Sequence, residues 1–136
     1  MQEIKPGLMG ESAQLVTEGL TAGAFGSGLV PALATPAMIA LMENASVNAI
    51  QESLQVGETS VGVEVNVKHL AATPVGMRVR ARAEVCLVDE RRVTFQVEAW
   101  DDRERIGEGT HVRAIVDEAR FKEKLAGKRT DQRPAA

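Results

Sequence analysis

From Thr35 to about Leu54 the apolar residues Met38, Ile39, Leu41, Met42, Ala45, Ala49, Ile50 and Leu54 recur at helical spacing, with Thr35 as a candidate N-cap and Pro36 in the first turn. This pattern predicts one long helix. Small residues (Ala37, Ala40, Ala45, Ser46 and Ala49) line much of its remaining surface and would let another backbone come close on more than one side, which suits a helix wrapped by a sheet. After Gly57 the period falls to two. Val61, Val63, Val65 and Val67 alternate with Ser60, Gly62, Glu64, Asn66 and Lys68, and the same parity carries His69 onto the expected buried face. Val79, Ala81, Ala83, Val85 and Leu87 alternate with Arg78, Arg80, Arg82 and Glu84 in a second strand. A tight turn over 89–91 leads into Val93, Phe95, Val97 and Ala99, so these two strands form a hairpin. Another polar turn, over 101–104, precedes a last strand from about Arg105 to Val116. Before the long helix, residues 13–18 read as a short strand and the glycine-rich segment 19–28 as a loop beside the helix start, a common place for a lid. Beyond the last strand, residues 121–125 can add a short helix, and 127–136 read as a frayed tail.

Strand, loop, long helix and then four strands joined mostly by hairpins argue for an α+β fold with an antiparallel sheet rather than a doubly wound parallel one. At 136 residues the chain fits one domain, taken as 1–126 with 127–136 outside it, because two independent cores would each be marginal. Aromatic residues are only 3%, so the core must come from Val, Ala, Leu, Ile and Met, and stacking platforms for single-stranded nucleic acid are not expected. The net charge of -3 is spread without a basic stripe, which removes the electrostatic footprint of a nucleic-acid binder. A single Cys86 cannot close an internal disulfide, and no Cys or His cluster has zinc spacing; both point to a reducing compartment and no structural metal. Met1 to Gly10 lacks the features of a secretory signal, and the apolar stretch Leu29–Met42 is too short to span a bilayer and is broken by Pro31 and Pro36. The expectation is a cytoplasmic protein with no membrane or nucleic-acid partner. GxGxxG, phosphate-loop and GxSxG motifs are absent, so dinucleotide, nucleotide and α/β-hydrolase chemistry have no support.

Six positions are candidates to carry or shape chemistry. Glu43 sits mid-helix among Leu41, Met42 and Ala45; it belongs either to a narrow solvent stripe with Asn44 and Gln51 or to a desolvated site where a carboxylate with a raised pKa acts as base or nucleophile. Thr35 lies eight residues earlier and can project toward the same side of the helix, or serve only as a cap. His69 ends a valine-lined strand face before the turn around Pro74 and Gly76, either as a core imidazole or as a group reaching into a cleft. His111 and Arg113 share one parity on the last strand, where an arginine is ordinarily a surface ion-pair residue, and Gly62 can simply relieve crowding between strand and helix.

Taken together, Ala34-Thr35 through Leu41-Met42-Glu43, then Gly62 with Val67-Lys68-His69-Leu70-Ala71-Ala72-Thr73-Pro74-Val75-Gly76, then Ile106-Gly107-Glu108-Gly109-Thr110-His111-Val112-Arg113-Ala114 resemble the hotdog-fold thioesterases related to fluoroacetyl-CoA thioesterase, over about residues 16–121. The resemblance implies a long central helix enveloped by a curved antiparallel sheet. It implies Thr35, Glu43 and His69 as the catalytic set, Gly62 and Arg113 as contacts of the acyl group, an acyl-CoA substrate, no cofactor, and a homodimer with the site at the protomer boundary. One segment departs from the pattern: the residues aligned with the aromatic lid of the fluoroacetyl-specific enzyme are Gly26 and Leu29, with Phe25 the sole aromatic nearby. That departure implies a short-chain or other small acyl-CoA rather than selectivity for a fluorinated acyl group.

The function expected is thioester hydrolysis, in which Glu43 attacks the carbonyl or orients water, Thr35 positions carboxylate or substrate, and His69 handles the proton of water or leaving thiol. Backbone N–H groups near Gly62 or at the helix start are the candidate donors to the carbonyl oxygen. A domain that binds acyl-CoA or a small carboxylate without hydrolysing it is the alternative, since fold does not fix function. A hydratase or dehydratase ranks below both, because no helix start containing Asp and His is present.

Overall fold

A computed structural model describes residues 3–130. In chain order the elements are β1 (Met9–Leu15), a 3₁₀ turn (Glu18–Leu20), α1 (Ala22–Phe25), α2 (Thr35–Ile50) with a further 3₁₀ turn (Gln51–Ser53), β2 (Glu58–His69), β3 (Arg78–Asp89), β4 (Arg92–Asp101), β5 (Arg105–Asp117) and α3 (Glu118–Thr130). The five strands form one antiparallel sheet in the order β1-β3-β4-β5-β2. The long helix α2 lies against its concave face, the architecture of a hotdog domain. Met38, Leu41, Met42, Ala45, Ala49 and Ile50 of α2 are buried against Val79, Ala81, Ala83 and Val85 of β3 and Val93, Phe95, Val97 and Ala99 of β4. Here the helical and strand periods read from the sequence give the observed core.

Two β-bulges shift that pattern. In β2, Gly62 faces Arg113 and Glu64 faces Val112, so Val63 is the extra residue. Ser60 and Gly62 therefore share the helix-facing side with Val65, Val67 and His69, whereas Val63 is 44% exposed. The continuous valine face expected from Val61 to Val67 is thus broken in the middle, because one inserted residue reverses the parity of everything before it. In β3, the shift between Val85 and Leu87 places Cys86 in the bulge and turns Leu87 out to solvent; Val88 takes its place opposite Val93.

At the periphery, β1 occupies residues 9–15 rather than 13–18. The reason is Gly10: a Cβ there would collide with the backbone of Ala45 and Ala49, so the absence of a side chain lets β1 lie directly on the small-residue flank of α2. The segment expected to be loop contains α1, which ends at Gly26 with a left-handed φ of 70°. Helix α3 is longer than expected and runs through Gly127 to Thr130, into the segment read as a tail; residues 131–136 of that segment lie outside the described residues. Among the described residues no helix is long and apolar enough to cross a membrane.

Because backbone rather than side chain stands where the new methyl would go, Gly10→Ala should destabilise the fold by about 2 kcal/mol or more in urea denaturation. A change below about 0.5 kcal/mol would show that the β1–α2 approach is looser than described.

Candidate active site

Thr35 opens α2, but its hydroxyl does not cap the helix: the N-cap is Ala34 and carries no side-chain bond. Instead, Thr35 Oγ1 lies 2.7 Å from His69 Nδ1 at the end of β2. Leu70 N–H donates to the Ile106 carbonyl and Leu33 N–H to the Thr73 carbonyl, so both chain segments are anchored within a few residues of the pair. The other ring nitrogen, His69 Nε2, is buried with no hydrogen-bond partner among the described residues. A buried polar atom left in that state costs stability unless a ligand, a water or another chain satisfies it. Burial also pushes the His69 pKa below its ordinary value, with the Ala71 backbone acting in the opposite direction, and so favours a neutral imidazole able to accept a proton.

Glu43, two turns further along α2, reaches the β5–β2 junction. Its Oε2 accepts from Arg113 Nη1 at 3.2 Å. Arg113 is 7% exposed, so this is a buried guanidinium, not the surface ion-pair residue that its position in an alternating strand suggested. The guanidinium is held from three further sides. Its Nε donates to Ser60 Oγ at 2.9 Å, its Nη2 to the Ser60 carbonyl at 3.0 Å, and Nη1 approaches His111 Nε2 at 3.1 Å. Burial pulls the Arg113 pKa down while the Glu43 carboxylate pushes it back up, and a guanidinium starting that high keeps its charge. Gly62 leaves the space that Glu43 occupies, since a Cβ there would sit 2.6 Å from Glu43 Oε2. Glu43 itself is not desolvated in one chain, its side chain being 39% exposed. It stands at the edge of the solvent stripe, tethered by a buried cation.

The residues read from the sequence thus fall into two groups on the flank of α2 that faces β2. One is Thr35 with His69; the other is Glu43 with Arg113 and Gly62. Eight helical residues separate Thr35 from Glu43, about 12 Å along the axis. His69 and Gly62 stand roughly 20 Å apart on the strand. Within one chain the imidazole and the carboxylate do not touch, so each group is half of the expected constellation. The part of the site missed by sequence reasoning is Ser60, which supplies both of its oxygens to Arg113. The alternation of β2 put Ser60 on the outer face, and only the bulge at Val63 brings it inside. Near the entrance of α2, Leu29 and Val30 are 96% and 61% exposed and Phe25 is 46% exposed, so nothing aromatic covers the Thr35 end. Among the described residues no cluster of His, Cys, Asp and Glu has the geometry to hold a metal ion.

Comparison with known proteins gives the family. The family profile described as FlK, fluoroacetyl-CoA-specific thioesterase, matches residues 16–119. A fluoroacetyl-CoA thioesterase from Streptantibioticus cattleyicolor is 42% identical over 95 residues, covering 70% of this chain and 68% of that protein. Among solved structures, the fluoroacetyl-CoA thioesterase FlK superposes with a TM-score of 0.86 at 31% identity, covering 96% of this chain and all of the other. A Thermus thermophilus thioesterase superfamily member superposes with a TM-score of 0.87 at 29% identity, covering 95% of this chain and 96% of that one. With its hotdog fold and these matches, the chain belongs to the fluoroacetyl-CoA-specific thioesterase family and is an acyl-CoA thioester hydrolase.

Proposed function

We propose that this hydrolase acts on short-chain acyl-CoA thioesters, at a site that two copies of the chain complete. The observation that carries the reading is the division of the catalytic set: Thr35 pairs with His69 while Glu43 is held by Arg113, and both groups border β2, whose outer edge has no partner strand among the described residues. On opposite faces of that strand Val63 and Val65 are 44% and 41% exposed, and an exposed apolar edge favours pairing with a second copy. A two-fold axis beside β2 reverses one helix relative to the other and sets the Glu43 end of one chain against the Thr35 end of its partner. The site then contains a carboxylate held in fixed orientation by a buried cation, a hydroxyl, and a neutral imidazole whose free nitrogen gains something to bind.

In hydrolysis, an oxygen nucleophile adds to the thioester carbonyl, the C–S bond breaks, and the leaving sulfur takes a proton. Either Glu43 orients a water whose proton His69 accepts and returns to the thiolate, or Glu43 attacks to form a mixed anhydride with loss of thiolate. In the second route a water that gives its proton to His69, for return to the thiolate, then hydrolyses the anhydride and frees Glu43. In both, Thr35 donates a hydrogen bond that positions carboxylate or acyl group. Arg113 sets the direction of the Glu43 carboxylate, and Gly62, whose missing side chain leaves room for that carboxylate, contacts the acyl group beside it. The open Thr35 end, with Gly26 and Leu29 where an aromatic lid would stand, supports a substrate class defined by small size rather than by a fluorine substituent. The single exposed Cys86 and the lack of a disulfide suit a cytoplasmic setting.

Thiol release from a panel of acyl-CoA esters of increasing chain length tests this directly. Turnover should be highest for the short chains, with fluoroacetyl-CoA and acetyl-CoA within about tenfold of each other in kcat/KM; binding without thiol release would contradict the hydrolytic reading. Glu43→Gln and His69→Ala should each lower turnover at least about a hundredfold with the fold retained. The lowered pKa of His69 keeps the ring neutral below the ordinary imidazole value, so the acid limb of kcat/KM should have its midpoint under about 6.5. A midpoint above that value would exclude the buried neutral imidazole as the base.

A further inference from the structure

We propose that His111 is a positioning residue of this hydrolase, acting as the neutral acceptor that fixes the Arg113 guanidinium and through it the Glu43 carboxylate. The proposal rests on the reading of Glu43 as the reacting carboxylate. His111 is 1% exposed, and its ring is enclosed by Glu64 of β2, Phe95 of β4, Arg113 of β5 and Glu43 of α2. The partners decide its protonation. Nδ1 lies 2.8 Å from the Glu64 carbonyl, which can only accept, so Nδ1 carries the hydrogen. Nε2 lies 3.1 Å from Arg113 Nη1, which can only donate, so Nε2 presents a lone pair. One state, the neutral Nδ1–H tautomer, meets both demands. Burial is the largest influence on the ring and lowers its pKa; the Glu64 carbonyl and the Glu43 carboxylate act the other way and the charge of Arg113 acts with burial, and the net direction favours the same neutral ring.

The consequence lies in the geometry of Nη1. This nitrogen has two hydrogens in a rigid plane, and the structure gives it two acceptors, His111 Nε2 at 3.1 Å and Glu43 Oε2 at 3.2 Å, themselves 3.7 Å apart. With one hydrogen committed to the imidazole, the other is aimed at the carboxylate. Ser60 fixes the opposite edge of the fork through Nε and Nη2, so His111 is the remaining constraint on its tilt. The ring is fixed in its turn: the Glu64 carbonyl belongs to the residue just past the bulge in β2, and Phe95 stacks on it with centroids 6.2 Å apart. The chain of contacts runs from the bulge through the imidazole and the guanidinium to Glu43.

The test joins spectroscopy to kinetics. Long-range ¹H–¹⁵N correlation spectra of the ¹⁵N-labelled enzyme at neutral pH should show His111 with a protonated Nδ1 and an unprotonated Nε2. His111→Phe keeps a ring against Phe95 but removes the acceptor; it should lower kcat about tenfold or more, with KM changing far less. His111→Gln, whose side-chain oxygen reaches the Nε2 position, should recover most of that loss. In an Arg113→Met background, His111→Phe should cost nothing further, as expected of a residue acting through another. An Nε2-protonated or cationic ring, or an equal His111→Phe loss with and without Arg113, overturns the assignment. If His111→Phe fails to fold, the tautomer and the His111→Gln kinetics still decide: wild-type tautomer with near wild-type kcat supports the assignment, and the wrong tautomer overturns it. Failure of the Glu43 reading is separate, because it appears as undiminished turnover in Glu43→Gln whatever tautomer His111 adopts.

Discussion

A guanidinium taken out of water must have acceptors for its hydrogens, and meeting that requirement for Arg113 organises this end of the molecule. Ser60 supplies a hydroxyl and a carbonyl, His111 a ring nitrogen, and Glu43 a carboxylate oxygen. Three elements are drawn together in the process, since Ser60 belongs to β2, His111 to β5 and Glu43 to α2. The arrangement depends on the bulge at Val63, without which Ser60 and Gly62 would face away from the helix and the cation would lose its Ser60 partner and the space at Gly62. Removing one partner from such a group costs more than the bond itself, because a buried charge is left uncompensated. Site architecture and sheet irregularity are therefore the same feature, which accounts for a bulge in a strand that otherwise alternates regularly.

The Thr35–His69 pair follows a different logic. Thr35 and His69 are joined by a short hydrogen bond, but the second ring nitrogen is buried with no partner among the described residues. Where the Arg113 cluster has its polar demands met within one chain, the His69 end leaves one unmet. That asymmetry fits the proposed shared site, in which a carboxylate held by its own chain would face an imidazole with one nitrogen left for substrate or a second copy. Preorganisation of this kind is worth most where charge moves during the reaction, because a fixed dipole need not reorient at the transition state.

Much of the architecture is legible in the sequence, and the failures share one cause. The period of Met38 to Ile50 gives α2, and the alternation from Val79 to Ala99 gives the β3–β4 hairpin, because a half-buried regular element writes its geometry into side-chain polarity. Val61 to Val67 misleads, since a bulge adds one residue without any distinctive turn chemistry and reverses the faces on one side of it. The same applies to Leu87, which lies beyond the bulge at Cys86. Gly10 sits within β1, its role visible only once the backbone of α2 lies against it. Of the proposed site, Glu43, Gly62, His69, Thr35 and Arg113 are read through the family pattern, whereas Ser60 is not, being an ordinary polar residue on the wrong parity. The burial of Arg113 could not be read from composition either, because strand alternation alone does not show which face of an edge strand pair the helix covers.

That the two halves of the catalytic set belong to different protomers can be examined by mixing two inactive variants. Glu43→Gln and His69→Ala chains, unfolded together and refolded as a mixture, should form mixed dimers in which one of the two sites combines intact Glu43 with intact His69. Random pairing then restores about a quarter of wild-type turnover, although neither variant alone has appreciable activity. A mixture no more active than its components, despite demonstrated exchange of chains, would mean that carboxylate and imidazole serve the same site from a single chain.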